Sequence, residues 1–290
     1  MSIQWYPGHM AKAKRMMQDN LKLVDIIIEL VDARIPFSSK NPDIDTLANN
    51  KSRIILLNKF DMADDKITDE WKQYYHDMGF YVSLVNSKSG HGVKQVKDLV
   101  AEACKEKMEV NRRKGIINRP MRAMIVGIPN VGKSTFINSF VGRASTKTGN
   151  RPGITKGKQW IRLSKEIELL DTPGILWPKI EDDFTGLALA FIGSVKDNII
   201  QTVDLSLDLI IFLSENYSDS LVNRYNIEAP NTVDTRKEAA KLLEAIGLKR
   251  GCIVKGGQVD LERAASILLD DFRNARLGKI SLERPSTVFK

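Results

Sequence analysis

Short apolar runs alternate with segments of helical periodicity over the first 178 residues. This alternation is typical of an α/β domain in which a doubly wound, mostly parallel sheet is covered by helices. The predicted strands lie near 24–32, 53–58, 80–86, 122–127, 159–163 and 166–171, and the predicted helices near 42–50, 68–78, 93–108 and 133–142. Residues 109–122 are charged and contain Gly and Pro, which indicates a linker within this domain.

The remaining residues, 179–290, show helical spacing without strand patterns. We predict helices over 184–196, 237–247 and 261–278, with Gly247 ending the second of them. A small all-helical domain is therefore expected after residue 178. Its simplest interpretation is an amphipathic bundle with a solvated charged face. Two basic clusters are nevertheless candidates for phosphate contacts, namely Lys249, Arg250 and Lys255, and Arg273, Arg276 and Lys279.

The charge distribution favours a polyanionic partner for the first domain. The 290 residues carry a net charge of +8, and a chain of this length suggests about two domains. Residues 1–178 hold 29 Lys and Arg against 19 Asp and Glu, whereas 179–290 hold 15 against 17. The chain has two cysteines, no apolar run long enough to span a membrane and no apolar signal segment at its start. We therefore expect a soluble cytoplasmic protein with no membrane association.

The segment GIPNVGKS, residues 127–134, has the form G-x-x-x-x-G-K-S of a phosphate-binding loop. A predicted strand precedes it and a predicted helix follows it, as such a loop requires. In this motif backbone amides surround the phosphates, the lysine contacts the β- and γ-phosphates and the hydroxyl binds magnesium. The candidate nucleotide-binding residues here are Asn130, Val131, Gly132, Lys133, Ser134 and Thr135, with Lys133 also a catalytic candidate.

A second motif, Asp171 to Gly174, follows the strand at 166–171. An aspartate at a strand end can hold magnesium through water, and the amide of Gly174 can contact the γ-phosphate. Thr155, between the two motifs, is the natural hydroxyl to close over the same ion. The predicted magnesium site therefore comprises Ser134, Thr155 and Asp171, and Thr155 is a further catalytic candidate.

Base recognition is predicted upstream of the phosphate loop. The strand at 53–58 ends in Asn58-Lys59-Phe60-Asp61, the pattern N-K-x-D. Asp61 can accept the N1 and N2 protons of guanine, which adenine does not offer, while Asn58 is expected to contact O6 and N7 and the Lys59 stem to stack on the ring. The next strand ends in a candidate loop for guanine O6, consisting of Asn86, Ser87 and Lys88. These residues predict a site for GTP and GDP and disfavour an ATPase.

The order of these motifs indicates a circular permutation. Ordinary GTPases carry the phosphate loop, switch and DTPG before the base motif and base loop, whereas here the base elements come first. Such a permutation is permissible because the ligand is held by loops at the carboxyl ends of the strands. The segment 109–122 is then the join between the original termini.

These motifs, together with Asp32-Ala33-Arg34 and the opening WYPGHMAKAKR, resemble the circularly permuted GTPases of the YlqF/YawG type over the whole chain. The resemblance implies a GTPase that is stimulated by the large ribosomal subunit and serves as a switch or timer in its late maturation. It implies rRNA and ribosomal proteins of the subunit precursor as partners, and we expect a monomer. The alternative is a nucleotide-gated RNA-binding module whose hydrolysis is incidental.

Three further hypotheses concern the switch and the catalyst. Residues 143–165 contain seven basic residues and no acid, which favours contact of the switch with RNA. Asn130 is a candidate ligand for potassium beside the phosphates. Gly174 is followed by Ile175, which cannot orient the attacking water, so we predict that His9 supplies this function.

Overall fold

A computed structural model gives the structure of the protein. It describes residues 3–4, 15–48, 51–116, 119–142, 159–162, 166–172, 179–180, 182–195, 202–228 and 233–289. Contacts within the chain define two compact units, of which unit 1 comprises Met1–Thr185 and Ser281–Lys290 and unit 2 comprises Gly186–Ile280. The sequence analysis divided the chain after residue 178 and assigned everything beyond it to the helical domain. The end of the chain instead returns to unit 1, where the amide of Leu282 donates to the carbonyl of Arg34 over 2.8 Å.

The described strands are β1 (Ile3–Gln4), β2 (Ile26–Asp32), β3 (Ser52–Asn58), β4 (Tyr81–Val85), β5 (Met121–Val126), β6 (Gln159–Arg162), β7 (Ile167–Asp171) and β8 (Lys179–Ile180). Six of these described strands form one sheet in the order β4-β3-β2-β5-β7-β6. Only the β6–β7 pairing within it is antiparallel. Strands β1 and β8 form a separate antiparallel pair.

The described helices are α1 (15–21), α2 (Pro42–Leu47), α3 (Asp65–Asp77), α4 (Val96–Ala103), α5 (Lys105–Arg113), α6 (Lys133–Val141), α7 (Asp183–Phe191), α8 (Thr202–Asn216), α9 (Ser218–Tyr225), α10 (Arg236–Lys249), α11 (Leu261–Arg273) and α12 (Pro285–Val288). Helix α3 packs Trp71 and Tyr75 against Ile55 and Leu57 of the sheet. All seven residues of β2 are buried, as expected for a central parallel strand covered on both faces.

The topology confirms the circular permutation. Strand β2 lies between β3, which carries the base motif, and β5, which leads into the phosphate loop. Both pairings are parallel, so the two motifs follow the same edge of the sheet although the base motif comes earlier in the chain. The fold is thus a permuted P-loop domain of α/β class with an additional helical unit.

The join between the original termini differs in detail from the prediction. Residues 93–108 were predicted as one helix, but α4 and α5 meet at Cys104. Helix α5 continues to Arg113, so the first part of the segment 109–122 is helical. Lys107, just before this segment, and Arg119, within it, form ion pairs with Asp25, at 2.7 and 3.4 Å respectively.

Unit 2 contains α8 to α11, with α8 packed against the other three helices. The sequence analysis did not predict α8, whose apolar residues are spread around much of its circumference and show little amphipathic spacing. Gly247 does not end α10, which continues to Lys249. A Cβ at Gly247 would lie 2.4 Å from Cγ1 of Val259, so the glycine permits close packing inside the helix. Helix α11 ends at Arg273 rather than residue 278.

None of the described helices is both long and apolar enough to cross a membrane.

Candidate nucleotide-binding site

The phosphate loop connects β5 to α6 and depends on two glycines. A Cβ at Gly127, which has a φ of +155°, would lie 2.7 Å from the carbonyl oxygen of Leu30. A Cβ at Gly132, which has a φ of +101°, would lie 2.4 Å from Nδ2 of Asn58. Larger residues would therefore displace the neighbouring strand end or the base motif. The loop leads directly into the amino terminus of α6, and a helix amino terminus favours binding of an anion.

Lys133 is the first residue of α6 and is 8% exposed. Burial lowers the pKa of its ammonium group from the ordinary value to about 8, although the nearby Asp171 carboxylate opposes this shift. A phosphate beside the ammonium group would stabilise its charged form. Ser134 and Thr135 follow Lys133 in the first turn of α6 and are half-buried. The phosphate-contacting residues predicted from the motif therefore lie at one helix terminus.

Asp171 lies at the carboxyl end of β7, directly opposite Ile125 of β5. Its neighbour Thr172 donates a hydrogen bond from Oγ1 to the carbonyl of Ile125 over 2.7 Å. The DT pair and the phosphate loop thus follow adjacent parallel strands. The hydroxyl of Ser134 and the carboxylate of Asp171 are oxygen donors of the kind that magnesium prefers.

Asn58 joins the base motif to the two other loops. Its Nδ2 donates to the carbonyl of Val131 in the phosphate loop over 2.7 Å. Its Oδ1 accepts hydrogen bonds from the amide and hydroxyl of Ser87, at 3.1 and 2.8 Å. Asn58 is 1% exposed, so these protein contacts, rather than the predicted contacts with guanine O6 and N7, account for its orientation here.

Lys59 extends from the base motif across the phosphate loop. Its Nζ donates to the carbonyl of Asn130 over 2.8 Å and to Oδ2 of Asp32 over 2.9 Å. Burial lowers the pKa of Lys59, while Asp32 acts in the opposite direction. Lys59 and Asn130 both have a φ of +60°, in the left-handed region. The long stem of Lys59 is consequently fixed at both loops.

Asp61 is exposed in a 3-10 turn, Phe60–Met62, directly after Lys59. The base loop is held in place by Asn86, whose Oδ1 accepts from the amides of Lys88 and Ser89 at 3.0 and 2.9 Å. Ser87 replaces the alanine that such loops often carry, and its hydroxyl has a role because it bonds Asn58. The structure therefore brings the predicted base motif, base loop and phosphate loop together.

Asp32 and Arg34 belong to this site as well, although the sequence analysis used them only as part of the family resemblance. Both are buried, and Arg34 donates to the Asp32 carboxylate from Nε and Nη2, each over 2.9 Å. Burial raises the pKa of Asp32, but Arg34 and Lys59 outweigh it and hold the pKa well below its ordinary value. The signal in the sequence was a charged D-A-R directly after an apolar strand.

Several predicted residues lie outside the described part of the chain. These are His9, Thr155, Gly174 and Ile175, and the basic residues Arg143, Lys147, Arg151, Lys156, Lys158 and Lys165. The other two histidines are described. His76 lies in the last turn of α3, and His91 pairs with Asn86 across the base loop.

The base motif precedes the phosphate loop by many residues in the chain, yet Asn58 and Lys59 contact that loop directly. Strand order and side-chain contacts together are therefore those of a P-loop GTPase domain with circularly permuted motifs.

Comparisons with known proteins agree with this class. A family model described as 50S ribosome-binding GTPase matches residues 122–243, a range that contains the phosphate loop but not the base motif at 58–61. Ribosome biogenesis GTPase A of Bacillus licheniformis is 47% identical over 288 residues, which is 99% of this chain and 100% of that protein.

Two solved structures are also similar along nearly the whole chain. GNP-bound YlqF from T. maritima has a TM-score of 0.66 and 30% identity over 94% of this chain and 98% of its own. GDP-bound TM YlqF has a TM-score of 0.65 and 29% identity over 93% and 99%. The chain belongs to the ribosome biogenesis GTPase A family. It is accordingly a GTPase that functions in ribosome biogenesis.

Proposed function

We propose that this GTPase is an assembly factor for the large ribosomal subunit, working in the cytoplasm as a nucleotide-controlled switch or timer in late maturation. The observation that supports this most is the course of the chain beyond Asp171. The segment after the DTPG motif leads through β8 and α7 directly into unit 2. A change at the γ-phosphate sensor is thereby transmitted to a segment that precedes unit 2. The family model's description as a 50S ribosome-binding GTPase supports the choice of subunit.

The proposed site roles are those that the motifs indicate. Lys133 contacts the β- and γ-phosphates, Asp61 selects guanine and the amide of Gly174 contacts the γ-phosphate. Ser134, Asp171 and Thr155 would hold magnesium, which would neutralise charge on the phosphates. Ser134 in the first turn of α6 and Asp171 at the carboxyl end of β7 supply oxygen donors that fit this ion.

Two further roles concern catalysis. Asn130 binds potassium beside the phosphates, which supplies positive charge where other GTPases use an arginine. His9 orients the attacking water when the subunit is bound, because Ile175 has no hydrogen-bonding group at the position where many GTPases carry glutamine. The pairing of β1, Ile3–Gln4, with β8 brings residues near His9 in sequence to the strand that follows the DTPG segment.

The helical domain predicted over residues 179–290 supplies part of the affinity for the subunit. Fewer basic residues take part than the two clusters expected from the sequence contain. Arg250 pairs with Asp271 at 3.4 Å and stacks on Tyr225. Arg276 pairs with the same aspartate at 3.0 Å, and Arg273 donates to the carbonyls of Phe191 and Ala190 within unit 2. These three arginines therefore stabilise unit 2.

Lys249 and Lys255 are exposed around the turn that follows α10. Leu248, Ile253 and Val254 are exposed beside them in sequence, at 54%, 52% and 45%. A surface that combines lysines with apolar residues suits an assembly of RNA and protein. We propose that this surface contacts the precursor.

The proposal is tested by copurifying the protein with large-subunit precursors in the presence of a GTP analogue or GDP. Retention is expected with the analogue and release with GDP. Retention that does not depend on the nucleotide would contradict the switch. The alternative, an RNA-binding module with incidental hydrolysis, is favoured if subunits bind the protein without stimulating its turnover.

The contact of this lysine-containing surface with the precursor is tested with the double variant Lys249→Gln and Lys255→Gln. We expect weaker subunit association with a flatter salt dependence and unchanged GDP affinity. Arg250→Gln is a comparison variant that should instead destabilise unit 2. Unchanged subunit binding by the double variant would remove this surface from the interface.

A further inference from the structure

The last described residues of the chain, 281–289, lie against unit 1, and we call them the C-terminal strap. They follow unit 2 directly. The strap includes α12, whose Val288 packs against the hydrophobic cluster around Trp71. Phe289 stacks on Tyr74 with ring centroids 4.8 Å apart and planes 15° apart. The strap is thus packed onto α3, the helix that follows the base motif.

One end of the strap is bonded to the segment immediately after the base motif. The amide of Asp64 donates to Oγ of Ser281 over 3.1 Å. Asp64 is the N-cap of α3, since its side chain accepts from the amide of Ile67 at 3.1 Å. Nε1 of the fully buried Trp71 donates to the carbonyl of Glu283 over 2.9 Å. These contacts fix the turn that carries Asp61 relative to the strap.

The same strap holds the loop that follows β2. Leu282 donates its amide proton to the carbonyl of Arg34 over 2.8 Å. The carboxylate of Glu283 accepts from the amides of Phe37 and Ser38, at 2.8 and 3.1 Å. A continuous chain of contacts then leads from Leu282 through Arg34 to Asp32.

Asp32 passes these contacts on to the nucleotide site. Its carboxylate accepts from Arg34 on one side and from Lys59 on the other, and it is completely buried. Lys59 in turn bonds the phosphate loop at Asn130. Asp32 therefore determines where the Lys59 side chain lies, although it belongs to none of the four motifs that contact nucleotide in the proposed site.

We propose that Asp32, Arg34 and the C-terminal strap are positioning elements for the guanine-recognition motif, so that strap docking and binding of the guanine base favour each other. This inference rests on the proposed assignment of residues 58–61 to the base. The strap contacts the loop after β2 and the segment after the base motif, so a ligand with only phosphates gains less from strap docking than one that carries the base. Coupling of this kind is reciprocal, because each event stabilises the arrangement that the other requires.

The first experiment separates base binding from phosphate binding. Leu282→Pro removes the amide donor to Arg34, and Leu282→Ala is the matched control that keeps this donor while losing the side chain. We expect the Kd for GDP to be at least about five-fold higher for the proline variant than for the alanine variant, in line with the loss of one buried hydrogen bond. The Kd for pyrophosphate should agree between the two.

Asp32→Asn gives an independent variant, because it removes the charge that holds Lys59 without altering the strap. It should also weaken GDP binding, and by a larger factor than it weakens pyrophosphate binding. Arg284→Ala is the control within the strap, since Arg284 pairs with the exposed Glu70 on the outer face of α3. The inference would be overturned if Leu282→Pro bound GDP as tightly as Leu282→Ala does, or if Asp32→Asn bound it as tightly as the parent. It would also be overturned if these variants lost GDP and pyrophosphate affinity by the same factor.

The parent protein supplies a test that does not depend on the folding of any variant. Hydrogen exchange of the strap amides is measured without ligand, with GDP and with pyrophosphate. GDP should slow exchange in the strap at least about five-fold more than pyrophosphate does. Equal exchange under the two ligands would overturn the coupling.

Asp61→Asn distinguishes failure of this inference from failure of the proposed site. If this variant still prefers guanine nucleotides over xanthine nucleotides, the assignment of residues 58–61 to the base is itself wrong. If it does, and the strap variants still bind GDP like their controls, the base assignment stands and the strap inference is wrong.

Discussion

The side-chain amide of Asn58 donates to the main-chain carbonyl of Val131 over 2.7 Å and so links two motifs that are 73 residues apart in the chain. The opposite end of the same amide accepts two hydrogen bonds from Ser87. One buried side chain thereby holds the base motif, the phosphate loop and the base loop together. In an unpermuted GTPase the phosphate loop would precede the base motif, but this contact needs only proximity and not chain order.

Replacing Asn58 by Ala should weaken GDP binding roughly ten- to a hundred-fold, because it leaves the Val131 carbonyl and the Ser87 amide without their partner in a buried place. The Kd for GDP measures this. Ser87→Ala is the control, since it removes the hydrogen bond from the Ser87 hydroxyl to Asn58 and keeps the one from the Ser87 amide. It should raise the Kd for GDP about five-fold or less. GDP affinity of Asn58→Ala equal to that of the parent would show that the loops are held by other contacts.

Asp61→Asn should change the base preference from guanine to xanthine. An amide in place of the carboxylate opposes the N2 amine of guanine and suits the O2 of xanthine. Loss of one charged hydrogen bond corresponds to roughly 1.5–3 kcal/mol. GTP and XTP hydrolysis by the two proteins provides the measurement. A variant that hydrolyses GTP normally and ignores XTP would show that Asp61 does not contact the base.

Potassium should accelerate GTP hydrolysis relative to sodium at equal ionic strength. The reason is the proposed position of Asn130 beside the phosphates, where a bound cation stabilises the charge that develops in the transition state. Asn130→Ala is expected to lose this preference, and GTPase rates in the two salts are the measurement. Equal rates for the parent protein would mean that Asn130 shapes the loop and binds no cation.

His9→Ala should retain nucleotide and subunit binding while subunit-stimulated hydrolysis falls on the order of ten- to a thousand-fold, the range for a positioned catalytic group. Single-turnover hydrolysis with saturating subunits measures the effect. His76→Ala is the control, because His76 is exposed in the last turn of α3. Stimulated hydrolysis at the parental rate would exclude His9 from the mechanism.

The contribution of Glu283 to the stability of the protein should fall as the pH rises from about 4.5 to about 7. Burial raises the pKa of this carboxyl from 4.5 to about 7, with the amides of Phe37 and Ser38 acting in the opposite direction and Asp182 adding to the rise. The folded state therefore holds the proton more tightly than the unfolded state. The contribution of Glu283 to the free energy of unfolding is complete below the pKa that this carboxyl has in the unfolded chain. It is lost as the pH rises through the pKa of the same carboxyl in the folded protein.

Complete loss of the Glu283 contribution lowers the free energy of unfolding by about 3 kcal/mol at most. Glu283→Gln should remove this part of the pH dependence, because a neutral amide oxygen can accept from the same amides at every pH. Urea unfolding of both proteins across this pH range isolates the difference, since all other titrating groups are shared. Parallel pH profiles would show that Glu283 does not retain a proton in the folded protein.

Much of unit 1 could be predicted because its signals are local. Each parallel strand is a short apolar run, and the motifs that follow β3 and β5 consist of residues adjacent in the chain. The positions of Asn58, Lys133 and Asp171 at strand or helix ends followed from that spacing. The helix boundaries were less accurate where the determinant was a distant contact, as at Gly247, where close packing against Val259 replaces the expected helix end.

The amino-acid sequence by itself determined the motifs, their permuted order and the class of ligand, because these depend on residue types at fixed spacing along the chain. The tertiary structure decided which side chains meet. Asn58 bonds Val131 and Ser87, Asp32 bonds Lys59, and the strap at 281–289 returns to unit 1. Arg250, a candidate for phosphate contacts, likewise pairs with Asp271 inside unit 2. Such contacts join positions that are distant in the chain, and they depend on packing geometry that no local pattern records.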